Sequence, residues 1–248
     1  SKQQQSSVWS STALENYELS SGLELLTQVD CLLVHQQIEL LEILTNWEAR
    51  NRYRIKNSAG EQLLYATEES DVCARQCCGP QRSFIMHICD ITGAEVLRVS
   101  RQLKCFACQP ACFCSAGLEP CSHELQVEAP PGTVIARVRQ QRSCMQPRYE
   151  IQDATGRSVL FIRGPKCICR GPCCTMEKEF KVYSMGMIDE IGYISKQWGG
   201  FAREYFTDAD NYSVSFPADL DVRMKAAMVG AVFLIDFMFF ENDQQSQH

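Results

Sequence analysis

Four segments of the chain repeat one pattern of apolar and polar positions. In each, a run of alternating β-branched and polar residues leads into a polar turn that ends in glycine, and a second apolar run follows; these turns end at Gly60, Gly93, Gly132 and Gly156. A looser fifth copy covers residues 180–194. Alternation with period two is typical of strands, and hairpin turns of three to five residues need a residue that adopts positive φ. The pattern predicts five hairpins, or about ten strands, and residues 32–47 are expected to supply up to two more.

So many strands would expose long edges if they formed one open sheet. Closing the sheet on itself removes the edges, whereas two packed sheets reduce them. Before residue 220 no segment has the pattern of a long helix. We therefore predict an all-β fold, a closed barrel built from hairpins around one C-terminal helix. Residues 22–241 would form this single domain, between a disordered polar tail at 1–21 and a second polar tail at 242–248.

The predicted C-terminal helix, residues 222–241, is apolar on all its faces. Residues 226–240 are interrupted by a single charged residue, Asp236, and Gly230 lies among small residues that would let other backbone approach closely. Such a helix must be enclosed by protein or by lipid. Fifteen residues cover about 22 Å, which is less than the roughly 30 Å of bilayer hydrocarbon. Two alternatives remain open: a helix inside the barrel, or one inserted in a membrane.

The segment before this helix, residues 208–221, carries four carboxylates and no basic residue. Its spacing matches a twelve-residue calcium loop, with carboxylates at positions 1, 3 and 12 and backbone carbonyls at positions 5, 7 and 9. Ser213 stands where such a loop needs glycine, and the alternation of residues 212–216 is that of a strand. Any calcium affinity would be weak, with a Kd of about 10⁻⁴–10⁻³ M. The alternative is a turn followed by a helix cap at Asp219 or Asp221.

Fifteen cysteines are the outlying feature of the composition. Residues 1–21 lack the cationic and apolar regions of a secretory signal, so we expect reduced thiols rather than disulfides. Most of the cysteines fall in three clusters, at residues 73–78, 105–121 and 167–174. The second cluster contains a stretch of ten residues that holds four thiols, with Phe106 and Phe113 between them and His123 nearby. S-acylation, zinc binding and buried free thiols are the three interpretations that this pattern leaves open.

Charge and motifs exclude some functions. A net charge of −6 and a pI near 5.3 argue against a basic surface that recruits nucleic acid. The four histidines belong to no nucleophile motif, and there is no glycine-rich phosphate loop, so we predict a protein without hydrolytic or redox chemistry. His35 and His87 lie in strand-like runs and are expected to be structural.

Several long strings resemble the phospholipid scramblase family over residues 22–241. They are GLELLTQVDCLLVHQQIELLEILT at 22–45, CCGPQR at 77–82, APPG at 129–132 and FTDADNYSVSFPADLDVRMKAAMVGAVFLIDFMFFE at 206–241. The resemblance implies calcium-activated, ATP-independent, bidirectional movement of phospholipids between membrane leaflets. It also implies a tubby-like barrel of twelve strands around a hydrophobic C-terminal helix. By the same resemblance, calcium would bind at Asp208, Asp210, Tyr212, Val214, Phe216 and Asp219.

The resemblance further implies anchoring to the cytoplasmic face of the plasma membrane by palmitoylation. The acylated run maps onto Cys105, Cys108, Cys112 and Cys114, but here other residues interrupt it. The expected partner is a phospholipid membrane, together with further copies of the chain or other proteins. Because the first proline is Pro80, partners that bind proline-rich tails are not supported. Residues 192–200 match a nuclear import segment but hold one basic residue, which argues against nuclear import and DNA binding.

Three functions are therefore weighed. The first is a calcium-activated scramblase, which needs a hydrophilic path across the bilayer. The second is an acylated, membrane-peripheral lipid-binding or scaffold protein without transport activity. Asp236 discriminates between them: paired inside a barrel it supports the second, and facing lipid or an oligomeric pore it supports the first. The third is an adaptor stabilised by zinc at the cysteine clusters.

Overall fold

Twelve antiparallel strands close into a barrel in a computed structural model that describes residues 22–37, 51–103, 122–143, 146–166, 178–186, 189–197 and 211–240. Every strand is hydrogen-bonded to its sequence neighbours, and β12 closes the barrel between β11 and β1. The predicted fold class is confirmed. The strands are β1 Cys31–Gln37, β2 Arg52–Asn57, β3 Gln62–Glu69, β4 Phe84–Asp90, β5 Glu95–Arg101, β6 Glu124–Glu128, β7 Val134–Gln141, β8 Arg148–Asp153, β9 Ser158–Arg163, β10 Lys178–Tyr183, β11 Glu190–Gln197 and β12 Asn211–Ser215.

All five predicted hairpins are present, from β2–β3 to β10–β11. Three of them share a turn in which the last strand residue, Asn57, Asp90 or Asp153, accepts hydrogen bonds from the backbone N–H groups two and four positions later. The turn glycines Gly93 and Gly156 adopt φ of 87° and 84°, a region that side chains disfavour. The chain reverses here through purely local contacts, which is why the pattern was readable from sequence.

The source of the last two strands differs from the prediction. Residues 32–47 contribute β1, and residues 38–47 lie outside the described residues. The twelfth strand is β12, from the acidic segment, where residues 212–216 alternate. Its inward residues bury apolar surface in the barrel, and this tertiary contact decides between strand and loop.

The two ends of the barrel are built differently. At the hairpin end, defined by the turns after β2, β4, β6, β8 and β10, connections are short. At the far end, the connections after β1, β3, β5, β9 and β11 are longer; the one after β3 contains the short helix α1, Val72–Cys78, and the 3₁₀ turn Gly79–Gln81. A first 3₁₀ turn, Leu23–Leu26, packs against the C-terminal helix.

The C-terminal helix α2, Val222–Phe239, occupies the barrel interior. Every residue from Met224 to Phe237 is buried, in agreement with its apolar character on all faces. A methyl group on Gly230 would lie 3.1 Å from side-chain atoms of both Leu125 and Val127, so the absence of a side chain lets the wall of the barrel approach the helix. Of the two alternatives left open, the helix is inside the barrel. Among the described residues, no helix is long and apolar enough to cross a membrane.

Candidate functional site

Asp236 is paired inside the barrel. Its carboxylate accepts hydrogen bonds from the Tyr53 hydroxyl at 2.6 Å and from the Tyr212 hydroxyl at 2.5 Å. Both tyrosines point inward, from β2 and β12, the two strands that flank β1. A buried carboxylate without donors would be costly, and donors to an ionised group make short, strong bonds. The helix is thus held to the wall by two side chains that are 159 positions apart in the sequence (212 minus 53).

Lys225 occupies the opposite end of the helix. It is 0% exposed, and its Nζ donates to the backbone carbonyls of Leu26, Thr27, Val29 and Ala218 at 2.8–3.1 Å. Burial lowers the pKa of Lys225, because the ammonium loses contact with water. The charges of two nearby carboxylates, Asp219 and Asp30, oppose that decrease.

A buried ion pair supports the far end of the barrel. The Arg82 guanidinium donates from Nε and Nη2 to the two carboxylate oxygens of Glu68, at 2.7 and 2.9 Å, and neither side chain is exposed to solvent. Burial raises the pKa of Glu68, but the hydrogen bonds and charge of Arg82, together with hydrogen bonds from Ser70 and Asn51, outweigh it, so the pKa lies below its ordinary value. Arg82 also lies 4.5 Å from the ring centroid of Phe237, one residue after Asp236. The C-terminal part of the helix therefore packs on fixed charges as well as on apolar wall.

Three of the residues predicted to bind calcium, Tyr212, Val214 and Phe216, lie on β12 or directly after it. Tyr212, Val214 and Phe216 are buried with their side chains in the interior, and β12 is hydrogen-bonded to strands on both sides. From Asn211 to Ser215 the strand spans about 13 Å, at about 3.3 Å per residue. Asp219 lies beyond its end, whereas calcium ligands lie only 2.3–2.6 Å from the ion. Residues 211–215 thus form an extended strand, and calcium binding at the predicted positions stays a prediction.

The other predicted ligands, Asp208 and Asp210, lie outside the described residues, so calcium binding through them stays a prediction. The alternative interpretation of this segment, a helix cap, is confirmed at Asp221. Its Oδ1 accepts a hydrogen bond from the backbone N–H of Arg223 at 2.8 Å at the start of α2, and its carboxylate also pairs with the Arg223 guanidinium.

The cysteine predictions stay predictions as well. The sites proposed for acylation, Cys105, Cys108, Cys112 and Cys114, lie outside the described residues. Where the structure does describe cysteines, Cys31, Cys73, Cys78 and Cys89 are free thiols. Within those same described ranges, no group of three or more His, Cys, Asp and Glu side chains is arranged to hold a metal ion.

Two histidines have the structural role expected of them. His35 Nδ1 lies 2.8 Å from Asn211 Oδ1, across the β1–β12 pair. His87 bridges two carboxylates on the outer wall, with Nε2 2.7 Å from Glu69 and Nδ1 2.8 Å from Glu95. Burial alone lowers the pKa of His87, but the hydrogen bonds to both carboxylates raise it above its ordinary value.

Sequence reasoning missed the partners of the helix. A single lysine among apolar residues at 224–235 indicates that the buried ammonium group needs hydrogen-bond acceptors. Backbone carbonyls supply them here, and these have no sequence signature. Tyr53 likewise belongs to an ordinary alternating strand. Only the closure of the barrel brings it to Asp236.

Comparison with known proteins places the chain in a family. The profile of the family described as Scramblase matches residues 10–242. The chain is 46% identical over 227 residues to phospholipid scramblase 1 of Rattus norvegicus, covering 90% of this chain and 64% of that protein. It is 47% identical over 221 residues to phospholipid scramblase 1 of Homo sapiens, covering 89% of this chain and 66% of that protein.

Phospholipid scramblase 2 of Bos taurus is 46% identical over 233 residues, which cover 94% of this chain and 76% of that protein. No solved structure matches the chain. The chain spans about two thirds of the length of the scramblase 1 proteins it matches. With a matching profile over nearly its whole length and relatives of this identity, the chain belongs to the scramblase family.

Proposed function

We propose that this chain moves phospholipids between the two leaflets of a membrane, bidirectionally, without ATP and in response to calcium. The observation that carries the proposal is 46–47% identity to proteins named phospholipid scramblase over about 90% of this chain. We propose the activity for which those proteins are named, although this chain spans about two thirds of their length. Its partner is therefore a phospholipid membrane, and copies of the chain are proposed to associate there.

Calcium is proposed to act through the first half of the acidic segment. Asp208 and Asp210 lie directly before β12, whose Tyr212 contacts Asp236 of the enclosed helix. A cation bound next to this strand would act on the residue that holds the helix. Asp219 follows β12 instead of preceding it, so we propose that Asp208 and Asp210 supply the carboxylates, in keeping with weak affinity.

Acylation of Cys105, Cys108, Cys112 and Cys114 is proposed to anchor the protein to the cytoplasmic face of the plasma membrane. These cysteines lie in sequence between β5, which ends at the far end of the barrel, and β6. Each acyl chain contributes about 0.8 kcal/mol per buried CH₂, and stable anchoring takes two such signals. A run of four thiols can supply them.

The pairing of Asp236 favours a second function, that of an acylated, membrane-peripheral lipid-binding or scaffold protein without transport activity. In the described part of the chain the barrel interior is filled by α2 and the side chains around it. Lipid headgroups would have to cross outside the barrel or after the helix has moved. This geometry is what a protein that holds its own helix, and does not transport, would have.

Dithionite quenching of fluorescent lipid in proteoliposomes distinguishes the two functions. For a scramblase, calcium should extend the quenching beyond the outer leaflet, and Asp208→Asn with Asp210→Asn should abolish the extra quenching. Asp189→Asn, at an exposed position of the hairpin end, is the matched control and should behave as wild type. Quenching that stops near one half, with folded protein bound to the vesicles, would support the scaffold function instead.

A further inference from the structure

The contacts of Lys225 have the arrangement of an ion site. Its ammonium group carries three protons, yet four carbonyl oxygens surround it at 2.8, 2.8, 3.0 and 3.1 Å. Three of these carbonyls belong to residues 26–29, and the fourth belongs to Ala218. We call this set, the carbonyls of Leu26, Thr27, Val29 and Ala218, the carbonyl cage. Because its oxygens belong to the backbone, the cage does not depend on which side chains those residues carry.

The position of Lys225 on the helix is unfavourable for a cation, so its charge needs stabilising partners. Lys225 lies in the first turn of α2, at the positive end of the helix dipole, where cations are disfavoured. It is fully buried, and a buried charge is stable only when it is surrounded by partners. The cage supplies four dipoles, the Phe216 ring lies 5.3 Å from Nζ, and nearby carboxylates supply opposite charge. If position 225 only had to fill space in the barrel, an apolar residue would suffice, as at the neighbouring buried positions of this helix.

We propose that the carbonyl cage is a binding site for a monovalent cation of the ammonium class, and that Lys225 is its permanently attached occupant. Asp219 follows the cage residue Ala218 directly and acts as the charge partner of this site. Occupancy ties residues 26–29 and 218 to the first turn of α2. The site thereby sets the height of the helix in the barrel, and with it the reach of Asp236, eleven residues or about 16 Å further along, to its tyrosines.

Removing the tethered cation and supplying a free one tests the site. Lys225→Ala should unfold at a lower temperature than wild type. Methylammonium chloride should raise that temperature with the logarithm of its concentration, because a ligand that binds only the folded state stabilises by mass action. Tetramethylammonium chloride at equal ionic strength should not, because it has no N–H donor and is too large for the cage. Lys181→Ala, which removes an exposed lysine paired with Glu190, is the matched control and should not respond to methylammonium.

Two further variants guard against an uninformative result. If Lys225→Ala does not fold, methylammonium should restore the yield of folded protein on refolding, and Lys225→Met should show the same response more weakly because its side chain fills the space. Asp219→Asn in the Lys225→Ala background should shift the methylammonium response to several-fold higher concentrations. Equal effects of both ammonium salts, or no effect of methylammonium on stability or refolding, would overturn the proposal.

Discussion

The two ends of helix α2 hold a polar side chain in opposite ways. At the hairpin end, Lys225 is received by backbone carbonyls of irregular segments. At the far end, Asp236 is received by the side chains of Tyr53 and Tyr212, which belong to regular strands. The difference follows from what each end offers. Irregular segments leave carbonyls that no strand has paired, whereas paired strands have only side chains to offer.

This difference determines what substitution can do at each end. The carbonyls around Lys225 cannot be removed by changing the side chains of the residues that carry them, so that contact is sensitive only at Lys225 itself and at its charge partner Asp219. The contact of Asp236 can be weakened at any of its three members. Variation at Tyr53 or Tyr212 is therefore a means of adjusting how firmly the helix is held, which would matter if the helix moves during lipid transport.

The largest expected effect is that of Asp236→Ala. The substitution removes the carboxylate to which both buried hydroxyls donate, and we expect the free energy of unfolding to fall by about 3–5 kcal/mol. Urea unfolding of the purified protein measures it. Asp189→Ala, an exposed aspartate at the other end of the barrel, should change stability by less than about 0.5 kcal/mol. A loss below about 1 kcal/mol for Asp236→Ala would show that this contact does not hold the helix.

The next effect concerns the helix between its two polar contacts. Gly230→Leu forces a side chain into a space where even a methyl group would be 3.1 Å from Leu125 and Val127, so we expect a loss of about 2–3 kcal/mol. Gly230→Ala is the matched comparison. Its crowding is offset by a gain of about 1 kcal/mol in helix propensity, so the net change should be small. The thermal unfolding midpoints of the two variants measure this difference. Equal midpoints for Gly230→Leu and Gly230→Ala would contradict the close packing of the helix against the wall of the barrel.

Removing one tyrosine hydroxyl should cost less than removing the carboxylate. Tyr53→Phe and Tyr212→Phe should each destabilise the protein by about 1–3 kcal/mol, because each leaves Asp236 with one donor from this pair. A double-mutant cycle in urea checks whether the two donors act together. We expect the double variant to lose more than the sum, since the second removal leaves the carboxylate without either hydroxyl. Strict additivity would mean that the two bonds are independent.

The smallest effect is the pH dependence of the outer-wall bridge at His87. Its raised pKa means that the bridge to Glu69 and Glu95 stabilises the fold fully below the unfolded-state pKa of about 6.5. That contribution is lost as the pH rises through the folded-state pKa. The stability difference between wild type and His87→Gln should therefore be larger at pH 6 than at pH 9, by less than about 1 kcal/mol because the bridge is partly exposed to solvent. An unchanged difference over this range would contradict the assignment.

The hairpins were determined by the sequence alone, because their contacts are local. Asp90 and Asp153 cap turns formed by the four residues that follow them, so no distant part of the chain is needed to predict them. The composition and length of α2 left two possible surroundings for it, the interior of the barrel or a membrane. Even the cap at Asp221 was anticipated, since it involves only its own helix.

Only the tertiary structure decided where the polar groups of the interior find their partners. Whether residues 211–215 form a loop or a strand depends on β1 and β11, whose paired residues are at least 176 and 14 positions away in the sequence. The same closure brings Tyr53 to Asp236. The carbonyl cage is the extreme case: backbone carbonyls are alike in every residue, so which of them remain unpaired and converge is decided by the folded chain and has no trace in the order of side chains.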